Sequence, residues 1–413
     1  MSRLPPGDAD VAVVGAGVLG CSIAWHIVRR RPGTRVAVID RERSVATQAS
    51  SQAAGLLTRA RTRSAAAALV ARTYAALGEL AYELAQPPPI RRNGTLAVAS
   101  SDAAAKSLDA LAGTAAAAGL RVERPDPREL PGLVPWLDPA GVRSCAFMPD
   151  DGFIDPYLLT DAYARAARAR GAVFRLGLEV LEIEVAAGRV RGLTTAAGTL
   201  RAPVVATAAG AWTNRLTLPL GFGLPMAAVR SHYWITEPDP RFRPGHPTVV
   251  LPDARAYARS EVGALLFGLR EAAGVSLDPD ALPRTIADYA FADDPHGWQS
   301  LVSGAPAFRQ YCPALDDVGI RSYVAGVSTY TPDGLFLAGP VPGIAGLFAA
   351  SGCCGAGVAA SGGLGLLLAE LILDELPSID PAPVSLDRFG AIDPRSAEFR
   401  ARCAAARSAK AGG

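Results

Sequence analysis

The chain has 413 residues and a formal charge of +2; half its residues are hydrophobic and 19% are charged. That length supports two intimate domains with a substantial core, and the composition excludes a disordered chain. Near-neutral charge without a dense run of Lys or Arg excludes a phosphate-tracking surface, so no nucleic-acid partner is expected.

In chain order, residues 10–14 form an apolar run that ends at Gly15 and reads as a buried parallel strand. Residues 18–30 follow a helical pattern, with Ile23, Ile27 and Val28 on one side, closed by Pro32-Gly33. Residues 35–39 read as a second strand with Asp40 at its end. A helix is expected over 64–84, stopped by Pro87-Pro88-Pro89, then a strand over 95–99 and a helix over 102–118. Residues 125–139 are broken by prolines, and Asp155-Pro156 opens a helix through 170. Alternating segments surround Val173, Val180 and Val190, and 203–207 is a further buried strand. The stretch 226–269 is mainly strand, 281–312 mixed and helical, and 318–327 strand again. A last core strand, 347–350, enters a glycine-rich turn and a helix over 358–373. Residues after 380 read as a poorly ordered tail. This order predicts a parallel-sheet domain assembled from separated pieces, with an antiparallel-sheet domain inserted into it.

Only two of the 41 basic residues are lysines, Lys106 and Lys410, and neither lies in a motif. Amine-base or Schiff-base chemistry is therefore restricted to those two. The six cysteines lack Cys-x-x-Cys spacing and the four histidines are scattered, so no metal site is expected. No leader pattern opens the chain and no apolar run is long enough to span a bilayer, which makes a cytoplasmic location without a membrane span the expectation.

The strongest local signal is Gly15-Ala16-Gly17-Val18-Leu19-Gly20, between the first strand and its helix. Gly15 allows the tight turn, Gly17 lets the backbone approach a pyrophosphate, and Gly20 lets the helix pack on the sheet. Asp40 stands twenty residues on, where a carboxylate accepts bonds from a ribose diol. This fingerprint leaves FAD and NAD both open. Ser50-Ser51-Gln52-Ala53-Ala54-Gly55 is small enough for backbone amides to approach a flat ring, or is a capped helix start.

The ordered set of segments resembles the FAD-dependent D-amino-acid oxidase superfamily, in its glycine oxidase and sarcosine oxidase or dehydrogenase branch. The segments are Gly15 to Gly20 with Asp40, Ser50 to Gly55, Asp151-Gly152-Phe153-Ile154-Asp155-Pro156, and Ala208-Ala209-Gly210-Ala211-Trp212. Thr331-Pro332-Asp333-Gly334 with Gly339, and Ser351-Gly352-Cys353-Cys354-Gly355-Ala356-Gly357, complete it. The resemblance covers roughly residues 8–375. It implies an α/β fold: a Rossmann-like FAD-binding domain plus an inserted antiparallel-sheet substrate domain. The expected FAD-binding pieces are 1–90, 143–222 and 318–385, the substrate or cap pieces 91–142 and 223–317, and the tail 386–413.

The resemblance further implies that Gly15, Gly17 and Gly20, with Ala16, Val18 and Leu19, hold the pyrophosphate, and that Asp40, beside Arg41, holds the adenosine ribose. Ser50, Ser51, Gln52 and Gly55, with Ala54 and Leu57, would lie along the isoalloxazine. Val180 would approach the adenine, and Ala209, Gly210 and Trp212 would line the cofactor. Gly352, Cys353, Cys354, Gly355, Ala356 and Gly357 would supply amides near the flavin's pyrimidine end, with Asp333 nearby. Cys353 and Cys354 read as buried small residues.

Departures from the family pattern are as informative. Some relatives attach FAD through a cysteine where this chain has Gly326, others through a histidine where it has Gln52, so the FAD is expected to be non-covalent. The arginine that pairs with a substrate carboxylate in glycine oxidase-type relatives is Ser328 here. Arg270 is the best substitute, with Arg230 and Arg321 weaker; each has the alternative of a surface ion pair. A lysine over the flavin in sarcosine oxidases falls near Leu266, so O2 or another electron acceptor stays open. Tyr257, His232, Tyr233 and Tyr330 face the pocket or serve as sheet aromatics.

The implied reaction passes a hydride from the carbon beside the nitrogen of a small amine or amino acid to flavin N5, giving an imine; secondary amines and N-substituted amino acids are favoured. An FAD-holding subunit of a larger amine-dehydrogenase complex and an FAD monooxygenase are the rival readings.

Overall fold

The computed structural model describes residues 9–286 and 289–410; residues 1–8, read above as free of a leader, lie outside them, as do 287–288 and 411–413. Val11–Val14 and Val36–Asp40 are short apolar runs covered on both faces, as parallel strands require. They sit inside a six-stranded sheet whose order is Leu337–Pro340, Leu347–Ser351, Val204–Thr207, Val11–Val14, Val36–Asp40 and Val173–Leu176. All neighbours in it are parallel except the first pair.

The opening helix Val18–Arg30 is buried through Val28 and packs against Pro156–Ala169 and Gly357–Ile372; Ser64–Glu83 packs on the latter. A β-carbon at Gly363 would lie 2.5 Å from Leu69 Cα, so the helices Ser64–Glu83 and Gly357–Ile372 touch backbone to backbone.

The second sheet runs Ser276–Leu277, Ala227–Thr236, Ala264–Leu269, Ala256–Glu261, Thr248–Leu251, Thr95–Ala99 and Ser144–Met148, with Ile320–Tyr330 also paired to Ala227–Thr236. It is antiparallel apart from the parallel pair Thr248–Leu251 and Thr95–Ala99. Its core centres on Trp234, Phe267 and Phe308. Two smaller three-stranded sheets complete the strand set of the described residues.

Three expectations need correction. Residues 144–148 and 320–330, assigned above to the cofactor domain, pair within the second sheet; Ile320–Tyr330 spans the boundary because its far end leads directly into the Thr331 turn. The described residues of the region 281–312 are α-helical only over Trp298–Arg309. The tail after 380 is no loose end: Ala397–Ser408 is a helix, capped by Ser396 Oγ, which accepts the Phe399 N–H. Phe399, Cys403 and Ala404 are buried and pack with Ala227, Val229 and Tyr330. Among the described residues no helix is long and apolar enough to cross a membrane.

Replacing Gly363 with alanine puts a methyl group into Leu69's backbone. We expect a loss of about 1–3 kcal/mol, read as a lower urea midpoint at unchanged slope.

Candidate functional site

The turn from Val11–Val14 into the opening helix is built on close approach. Gly15 has φ +108°, and a β-carbon there would stand 2.5 Å from Ala208 O. A β-carbon at Gly20 would overlap Gly15 O. The helix therefore starts directly at the strand end, with no acidic residue in its first turn and no side-chain cap from Gly17. Ser50 reaches across instead, its Oγ accepting the Val18 N–H at 3.0 Å. Asp40 closes the other side: Oδ2 accepts from Ala16 N at 2.6 Å and Oδ1 from Glu42 N at 2.8 Å. Burial raises the Asp40 pKa, opposed by these two N–H donors.

A cavity of about 450 Å³ opens at this turn, within the size range of ligand pockets. Gly15, Gly17, Val18 and Leu19 line it, followed by Asp40 and Arg41, then Ser50, Gln52, Ala54 and Gly55. Val180, Ala209, Gly210 and Trp212 form a further wall, with the Arg41 guanidinium 4.3 Å from the Trp212 ring centre. Cys353, Gly355, Ala356 and Gly357 line it from the turn before the helix Gly357–Ile372. Burial pushes the Cys353 thiol up to about 12, leaving it an inert small side chain.

Seven expected cofactor contacts do not line this cavity, each for a local reason. Ala16 turns its side chain into the core. Gly20 serves the packing just described. Ser51 faces a neighbouring groove. Leu57 is buried, its carbonyl accepting Tyr74 OH at 2.6 Å. Asp333 is held by Arg388 at 3.0 Å. Gly352 has its Cα against Leu337 and Thr331, where a β-carbon would come within 2.9 Å of both. Cys354 is buried, with Sγ 3.2 Å from Gly352 O.

At its other end the cavity reaches the second sheet. His232, Tyr233, Tyr257, Arg270 and Tyr330 all line it, as does Ser328, whose Oγ accepts the Gly355 N–H at 3.2 Å. Burial raises the pKa of Tyr257 and Tyr330, so both remain protonated hydroxyls at neutral pH. The Arg270 guanidinium lies 5.9 Å from the Tyr257 ring centre, and Nη1 donates to Lys410 O at 2.8 Å. Burial, together with nearby Arg407, lowers the Arg270 pKa.

The two weaker arginine candidates are elsewhere. Arg230 is buried in ion pairs with Glu271 at 2.6 Å and Asp293 at 3.0 Å, and Arg321 borders the neighbouring groove. Leu266 is buried in the second sheet's strand Ala264–Leu269.

Arg407 and Lys410 also line the cavity and were missed by the sequence reading. Lys410 Nζ donates to Gly355 O at 3.3 Å, and Arg407 pairs with Glu271. The spacing of Phe399, Cys403 and Arg407 on one helical face was the available signal.

A separated turn, helix start and glycine loop around one elongated cavity define a dinucleotide-dependent enzyme of the Rossmann-like class. The chain belongs to the FAD dependent oxidoreductase family (DAO), whose model matches residues 10–371. It is 28% identical over 394 residues to mitochondrial sarcosine dehydrogenase of Homo sapiens, covering 94% of this chain and 42% of that protein. It is also 28% identical over 388 residues to 4-methylaminobutanoate oxidase (formaldehyde-forming) of Paenarthrobacter nicotinovorans, covering 93% of this chain and 46% of the relative. The chain thus spans less than half the length of these two relatives. The crystal structure of glycine oxidase from Geobacillus kaustophilus superposes with a TM-score of 0.78 at 27% identity, covering 94% of this chain and 100% of that one.

The residues present fit the family's FAD. The opening helix begins at the cavity with no acidic residue in its own first turn, which suits a pyrophosphate. Gln52 donates from Nε2 to Ile286 O at 2.7 Å, while its buried Oε1 has no hydrogen-bond partner among the described residues and is available to a donor on a bound ring.

His232 provides a pH handle. Burial pushes its pKa down to about 4, while Tyr323 OH lies 3.0 Å from Nδ1. The unfolded chain takes up this proton near pH 6.5 and the folded one does not, so stability falls as pH drops from 6.5 towards 4, by up to about 3 kcal/mol for this group. The slope of thermal stability against pH across that window should be shallower in His232→Gln than in the parent.

Proposed function

We propose that this chain oxidises the C–N bond of a small amine or amino acid, with secondary amines or N-substituted amino acids favoured, to an imine that water hydrolyses. The observation that carries the reading is one continuous cavity joining the dinucleotide turn at Gly15–Val18 to a chamber walled by Arg270, Tyr257 and Tyr330. FAD supplies the two-electron acceptor for hydride. The similarity to a sarcosine dehydrogenase and a 4-methylaminobutanoate oxidase supports an N-methylated or otherwise N-substituted substrate.

The chain's own residues bind and orient. The six-stranded sheet and its helices form the cofactor part, with Gly17, Ser50 and Gly355 among its contacts. The second sheet forms the substrate part. Arg270 receives a carboxylate at the chamber's wall, taking over from the arginine that Ser328 replaces. Tyr257 and Tyr330, as neutral hydroxyls, orient the substrate by hydrogen bonds. The walls exclude water while the C–H is held for transfer, and the electrons pass on to O2 or another carrier. A non-covalent cofactor follows from Gly326 and Gln52 at the two attachment positions.

The test is an anaerobic screen of the yellow protein with N-methyl amino acids and simple amines. At least one should bleach the flavin; bleaching by NAD(P)H alone would overturn the reading. In Arg270→Leu, KM for a carboxylate-bearing substrate should rise roughly ten- to hundredfold with a smaller change in kcat.

A further inference from the structure

The family model ends at residue 371, yet the substrate chamber is completed by residues near 410. The helix Ala397–Ser408 makes this possible. Its apolar face, Phe399, Cys403 and Ala404, seats it under the second sheet. Glu271 then fixes its far end: one carboxylate pairs with Arg407 of the helix and, at 2.6 Å, with Arg230 of the strand Ala227–Thr236. His232 Nε2 lies 3.3 Å from the same carboxylate. Beyond this anchor the chain turns into the cavity. The Lys410 carbonyl accepts from Arg270 at 2.8 Å, and Nζ reaches Gly355 O at 3.3 Å.

We propose that Lys410 is a specificity-determining residue whose ammonium receives a carboxylate of the substrate, so that the chamber selects anionic amines over neutral ones. This deepens, and rests on, the amine-oxidation reading. Arg407's charge is met by Glu271, whereas no carboxylate among the described residues pairs with Lys410. The acids that line the cavity, Asp40 and Glu179, act on Arg41 instead.

Several groups face Nζ from different elements: Arg270 after the strand Ala264–Leu269, Arg407 on the helix, Arg61 before the helix Ser64–Glu83, and Cys354 in the glycine turn. Tyr330 OH lies on the same side of Gly355: a β-carbon there would stand 2.6 Å from Tyr330 OH and 3.3 Å from Nζ. Burial, and then the three guanidinium groups, lower the Lys410 pKa well below its ordinary value. An arriving carboxylate relieves that crowding of like charge and restores the ammonium. Carboxylate affinity therefore falls as pH rises through the lowered value of the free protein.

The test uses unreactive probes on the flavin-loaded protein, propionate against propionamide, with the shift in flavin absorbance as readout. Propionate should bind at least about tenfold tighter than propionamide. Lys410→Met should cut that preference by roughly three- to tenfold, the remainder being the share of Arg270, while the flavin content stays at the parent value. Lys410→Arg should keep the preference and extend it to higher pH, which a merely structural role would not do. An unchanged preference in Lys410→Met overturns the assignment of the ligand, and equal binding of both probes by the parent overturns the substrate class. If propionate binds through Lys410 but no amine bleaches the flavin, Lys410 stands as an anion ligand and the amine-oxidation reading falls.

Discussion

The absence of a side chain at Gly20 is the constraint on which the rest of the molecule depends. With its Cα against the Gly15 carbonyl, the opening helix begins where the first strand stops, and its first residues, Val18 and Leu19, line the cavity. Ser50 and Asp40 then brace this corner from two other segments. Every wall of the cofactor end is positioned relative to that corner: Ala208–Trp212 through contact with Gly15, and Gly355–Gly357 through the helix packed behind.

The substrate end is organised differently, by charge. Arg230, Arg407 and His232 converge on Glu271, inside a region where isolated ions would be expensive. Burial and the guanidinium groups of Arg407 and Arg230 work in opposite directions on Glu271, and the guanidinium groups prevail: its pKa is lowered. This cluster ties the last helix to the second sheet and holds the chamber's cationic wall in place. A protein short of lysine has put one of its two at that wall, while the other, Lys106, lies on the exposed helix Asp102–Ala117.

The fold class was legible because its signals are local. The Gly15–Gly20 spacing, the apolar runs and the Asp40 position each report on a few adjacent residues, and they sit in the structure where that reading put them. The chamber was legible only in part. Arg270, Tyr257, Tyr330 and His232 do converge. Lys410 could not be found this way, because its neighbours Gly355 and Arg270 are remote in sequence. The last helix escaped notice because its buried stripe is Phe399, Cys403, Ala404 and Arg407, with one large apolar residue among them. Ser51, Leu57, Gly352 and Cys354 stand beside cavity residues in sequence but are turned away by backbone direction, which residue type alone does not encode.

The placement of Arg407 and Lys410 has a bearing on how the enzyme is made. A ribosome adds residues from the N-terminus onward, and domains commonly fold as they emerge. By the time residue 372 has been added, the nascent polypeptide already contains every component of the dinucleotide groove. The last part of the chamber wall, Arg407 and Lys410, is still to come. The molecule thus acquires the means to hold its redox carrier before it completes the means to choose what that carrier will oxidise.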